Sequence, residues 1–208
     1  VTSSPIGTGS VTIGAGGTVD LNGHNFSDAA QTSNIPSITM SGTSSATATL
    51  TNSSTSTDVA VYGAVSLTKN GSGLYDIISQ AAGKTLTMNG VISDGSGTTA
   101  TQLQIGSSGN TGTVILGGAN TYAAGTTVAY GTLKLGAGPL CTTSVACDGS
   151  HTTLYSSATG TGNVVISAAT TLDLNAYNFG SSYLASKPSL TMSGTSSATA
   201  TLTNSSTS

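Results

Sequence analysis

Few side chains here could do chemistry. The acidic residues are seven aspartates, Asp20, Asp28, Asp58, Asp76, Asp94, Asp148 and Asp173, and there is no Glu or Arg. Glycoside hydrolysis needs two carboxylates facing one bond, and these are dispersed. Asp20 and Asp173 sit in the matching segments VDLN and LDLN, where a solvated, outward strand residue is the simplest reading. A Ser/His/Asp triad needs convergent geometry, and no motif announces one around His24 or His151, which read as surface histidines. Calcium-binding nonapeptides would recur as Gly-Gly-x-Gly-x-Asp, but GAGGTVDLN is a single weak echo. The chain is therefore expected not to be an enzyme and to carry no cofactor.

Cys141 and Cys147 share a Gly/Pro-flanked loop, GAGPLCTTSVACDGS. A local disulfide is expected from the exported-looking composition. Reduced buried thiols are an alternative, and zinc is disfavoured because it wants four ligands and only His151 lies nearby. Thr47, Thr49 and Thr51, with Thr199, Thr201 and Thr203, form Thr-x-Thr runs that suit either an ordinary solvated face or a flat ice-binding ladder. Asn25, Asn52, Asn70 and Asn204 open sequons, possible glycan acceptors where the machinery exists.

These groups sit on a chain built for short strands. Apolar residues recur at every second position at Val11/Ile13, Ile38/Met40, Leu86/Met88, Leu103/Ile105, Val114/Leu116, Leu133/Leu135, Val164/Ile166 and Leu190/Met192, with Thr between them in four of the eight pairs. Such alternation means strands with one buried face, separated by Gly, Asn, Ser and Asp turns. Comparable strands recur about every 18 residues, which predicts one coil of a β-solenoid with Ile38, Leu86, Leu103, Leu133, Leu172 and Leu190 inside. A β-sandwich ranks second because it does not explain the regular spacing.

Ser193 to Ser208 is identical to Ser41 to Ser56. The likeness extends backwards to GTGNVVISAATTLDLNAYNF against GTGSVTIGAGGTVDLNGHNF, so residues 1–56 and 153–208 are equivalent parts of successive repeats of about 152 residues. The chain is expected to form one solenoid over 1–208, a mature protein or internal slice of a tandem array. The two copies are expected at the same coil positions. Roughly eight coils per repeat, at about 4.8 Å each, would give an axial period on the order of 40 Å.

Only 5% of residues are charged and the net charge is −3. Lys69, Lys84, Lys134 and Lys187 are too few and scattered for a phosphate-binding patch, so nucleic acid is not an expected partner. No apolar run approaches the roughly 20 residues of a membrane helix, and no membrane insertion is expected of this segment.

GTVILGGANTYAAGTTVAYGTLKLG, Gly112 to Gly136, resembles the passenger-associated transport repeat of bacterial autotransporter passengers. The matching residues include Gly112, Thr113, Gly118, Asn120, Thr121, Tyr122, Gly125, Gly131, Thr132 and Leu133; Ala124 departs from the family's frequent second Gly. The resemblance covers about 25 of 208 residues. It implies a right-handed parallel β-helix outside a Gram-negative-type cell, in an adhesin or surface fibre, and it supplies no catalytic site. The expected function is thus a structural extracellular filament or adhesin shaft. Expected partners are further repeats of the same chain or identical subunits end to end, with surface glycans or neighbouring cells as possible ligands. An ice-binding solenoid is the main alternative and a polysaccharide-active β-helix enzyme a lesser one.

Overall fold

The computed structural model describes residues 9–28, 30, 35–68, 75–96, 100–138, 140–142, 145–146, 150, 153–181, 184 and 187–205. Its regular elements are all strands. The first eight are β1 (Val11–Ile13), β2 (Thr18–Asp20), β3 (Ile38–Met40), β4 (Thr49–Asn52), β5 (Val59–Val61), β6 (Val65–Leu67), β7 (Tyr75–Met88) and β8 (Ile92–Asp94). Next come β9 (Gln102–Ile105), β10 (Thr111–Leu116), β11 (Thr126–Val128), β12 (Thr132–Leu135) and the two-strand excursion β13 (Leu140–Thr142) and β14 (Val145–Ala146). The last four are β15 (Val164–Ser167), β16 (Thr171–Asp173), β17 (Leu190–Ser193) and β18 (Thr201–Thr203).

Pairing between these strands is parallel except for β13 with β14. The chain winds about six turns of a β-solenoid with three stacks. The first stack is β1, β3, β6 and β8. The second is β2, β4, the first half of β7, β9, β11, β15 and β17; the third is β5, the second half of β7, β10, β12, β16 and β18. The long strand β7 turns the corner between them, with Gly83 at φ +75°.

Alternation builds the core. Val19, Leu50, Ile78, Ile105, Val128, Ile166 and Met192 stack in register along the second stack. Val59, Leu86, Val114, Leu133, Leu172 and Leu202 do so along the third. Most are fully buried, and each such side chain contributes about 1.5–3 kcal/mol relative to exposure. Five of the six residues expected inside are completely buried; Leu190 is only partly so.

The coil is longer than the sequence spacing suggested. Val11, Ile38, Val65 and Ile92 stack at intervals of 27 residues. The interval near 18 mostly joins strands of different stacks: Val19 and Ile38, or Leu172 and Leu190, lie two sides apart on a three-sided coil. Only the short turn from Val114 to Leu133 is a true coil of 19 residues. It is followed by a turn of 39, Leu133 to Leu172, which carries the β13–β14 excursion. Alternation specifies which side chains face inward but leaves open which strand lies beside which.

The two sequence copies keep their internal pairing and change stacks. Val11 pairs with Ile38 and Val19 with Leu50, as their counterparts Val164 and Leu172 pair with Leu190 and Leu202. Yet β1 and β2 occupy the first and second stacks, whereas β15 and β16 occupy the second and third. The expectation of equal coil positions is corrected here: one repeat advances five and a third turns, not about eight. At about 4.8 Å per coil that is about 26 Å of axial rise.

Candidate functional site

Five of the six described aspartates, Asp20, Asp58, Asp76, Asp94 and Asp173, bond across to a neighbouring coil. All six described aspartates accept backbone amide hydrogens. Asp58 receives Thr85 N at 2.9 Å, Asp76 receives Ala48 N at 3.2 Å, and Asp94 receives Ala123 N at 2.9 Å and Thr101 N at 3.4 Å. Asp28 receives Ala30 N at 3.0 Å. Asp148 lies outside the described residues, as do His151, Cys147, Lys69 and Asn70.

Asp20 and Asp173 do more than the solvated role expected of them. Asp20 accepts from Asn22 N, closing a local Asx turn, and from both the amide and the hydroxyl of Ser53 in the next coil, at 2.9, 3.0 and 2.5 Å. Asp173 repeats this with Asn175 N at 3.0 Å and Ser205 N at 2.9 Å, plus the Ser205 hydroxyl. Asp20 is exposed but Asp173 is buried, and Lys134 Nζ lies 3.6 Å from the Asp173 carboxylate. Burial raises both carboxyl pKa values. The serine hydroxyl and the backbone amides outweigh it, with Lys134 assisting at Asp173, so both end below the usual range. Asn52 and Asn204 extend the clamp by accepting Gly23 N and Ala176 N at 2.7 and 2.8 Å.

The residues carrying the passenger-repeat resemblance are also structural in this chain. Asn120 is fully buried: its Oδ1 accepts Ile92 N at 2.7 Å and its Nδ2 donates to Ala158 O at 2.6 Å, joining three coils. Thr121 N donates to Ile92 O at 3.0 Å. The Tyr122 ring fills the core, its hydroxyl 2.6 Å from Thr126 Oγ1, and burial pushes its pKa well above the usual tyrosine range. Gly125 has φ +95°, and a Cβ there would sit 2.3 Å from the Asn163 carbonyl oxygen. Gly131, at φ +70°, would bring a Cβ 2.5 Å from Gly112 O, and Gly112 and Gly118 are buried. Thr113, Thr132 and Leu133 lie in β10 and β12, with Leu133 in the core.

A threonine rank runs along the third stack, and of the six threonines singled out in the sequence it includes Thr201. Thr51 is buried, its Oγ1 accepting from Ser79 and Asn110, and Thr47 and Thr49 are half-buried. Thr199, Thr201 and Thr203 are exposed. The continuous rank is Thr85, Thr113, Thr132, Thr171 and Thr201, in register over five consecutive coils of the third stack. No sequence period announces it, because coil lengths vary around it. The parallel rank two residues along reads Ala60, Thr87, Ile115, Lys134, Asp173 and Thr203.

Tyr130, 41% exposed at the corner between β11 and β12, stands between two shallow grooves of about 380 and 530 Å³. Their walls include Thr132, Thr171, Gln104 and Ser107, and no charged side chain lines either. Among the described residues no group of three or more His, Cys, Asp or Glu could hold a metal ion, and no helix is long and apolar enough to cross a membrane. His24 is exposed. Cys141 is buried in β13, and its expected bond to Cys147 falls partly outside the described residues. Of the sequons, Asn25 and Asn204 are exposed, whereas Asn52 is fully buried against Gln80 and closed to a glycan in the folded chain. No protein-family model matches the chain, and no curated protein or solved structure matches it significantly.

Proposed function

We propose that this chain is part of the shaft of an extracellular bacterial filament or adhesin, built from tandem β-solenoid repeats and similar in kind to autotransporter passengers. One observation carries the reading: two copies of a sequence unit use the same strand pairing within continuous stacks, which is what an extensible rod requires. The aspartates and the Gly112–Gly136 motif support it by serving coil-to-coil cohesion. The test is length. Chains carrying two, four and six copies should form rods that lengthen by about 26 Å per copy, and antibody to the repeat should label intact cells of the source. Rods whose length does not follow copy number would refute the shaft, and labelling confined to permeabilised cells would refute its surface location.

A second reading has its own observation, the five-coil threonine rank. A repeat near 4.8 Å along the stack suits ice binding. The neighbouring rank does not, since Ile115 and the Lys134–Asp173 ion pair interrupt it. We therefore read the rank as a solvated face. Thermal hysteresis abolished by Thr132→Tyr would reverse that choice.

A further inference from the structure

The C-terminal end of the core differs from its counterpart within the chain. In the first copy Met40 and Leu50 are fully buried, with Leu67 and Ile78 of the next coil stacked on them. Their counterparts Met192 and Leu202 are 45% and 43% exposed. The polar rim shows the same contrast: Asn52 is buried and donates to Gln80 Oε1 at 3.0 Å, whereas Asn204 is exposed. Because Ser41 to Ser56 and Ser193 to Ser208 are identical, strands of the β6 and β7 sequences, which cover Met40 and Leu50 in the first copy, fit this end.

We propose, resting on the tandem-array reading above, that the β17–β18 coil docks such strands from a following copy, and that successive copies enter one stack further round. The excursion β13–β14, present once per copy, would then leave the rod from three sides in turn. Three copies make sixteen turns, so excursions on one side recur about every 77 Å at about 4.8 Å per coil. A flat partner lying along the rod meets every third excursion, and its avidity follows that spacing and not the 26 Å repeat.

Two measurements separate this inference from the reading it rests on. In the first, the chain is extended beyond Ser208 by the sequence of Thr57 to Asp94 and treated with hydrogen peroxide, and oxidation of each methionine is followed by mass spectrometry. Met192 should oxidise about tenfold more slowly than in the unextended chain, as expected when a side chain becomes accessible only by local opening. Protection of Met40 and Met88 reports that the rod is folded. Unchanged Met192 oxidation in a folded rod overturns the docking and the array with it. In the second, a six-copy chain is imaged by cryo-electron microscopy with Fab fragments bound to the excursion. Fabs about a third of a turn apart on successive copies support the proposal. Fabs all on one side overturn it and leave the array standing.

Discussion

At the scale of the residue, carboxylates, amides and glycines hold one coil to the next. Asp20 and Asp173 have depressed pKa values in the fold, so their contribution is present above the unfolded aspartate pKa of about 3.9 and is lost as pH falls through the lower folded value. The double substitution Asp20→Asn, Asp173→Asn should therefore show a smaller drop in Tm between pH 5 and pH 2 than the parent chain, measured by circular dichroism. Equal drops would mean that these clamps carry no pH-dependent stability. Asn120→Ala leaves Ile92 N and Ala158 O without their buried partner, at about 1–3 kcal/mol each. Tyr122→Phe removes one hydroxyl contact, for about 1 kcal/mol. Urea denaturation should rank Asn120→Ala as clearly the more damaging, and the opposite order would contradict the bridging role assigned to Asn120.

At the scale of the element, the strands were legible and their neighbours were not. Val164/Ile166 or Leu86/Met88 announce a buried face by alternation alone, because side chains of a strand point to opposite sides. Stack membership depends on corner geometry, which Gly83, Gly125 and Gly131 set through positive φ and which composition reports only as a general glycine excess. The same blindness concealed the threonine rank from Thr85 to Thr201. It also concealed the aspartate clamps, whose signal was present in the paired segments VDLN/LTNSS and LDLN/LTNSS without any hint that the two halves touch. The excursion β13–β14 carries its own prediction, inherited from the short loop between Cys141 and Cys147. Intact mass after alkylation without reductant should show no label. Two alkylated thiols would refute the bond.

At the scale of the whole molecule, the chain is a three-stack solenoid in which a sequence copy returns one stack out of phase. The proposed extension of the rod, with its excursions turned round the axis, rests on β16 lying beside β12 and not beside β11. Disulfide trapping tests this directly, in chains with Cys141 and Cys147 replaced by Ser and one pair of cysteines introduced on outward positions. Thr132 and Thr171 are in-register partners, and neighbouring strands at about 4.8 Å suit a disulfide's reach of about 4.4–6.8 Å. Thr132→Cys with Thr171→Cys should therefore oxidise readily to an intramolecular bond. Thr127→Cys with Thr171→Cys should remain reduced under the same conditions. The reverse pattern, bonding at Thr127 and Thr171 with Thr132 and Thr171 unbonded, would put β16 in the second stack and contradict the rotation of the repeat.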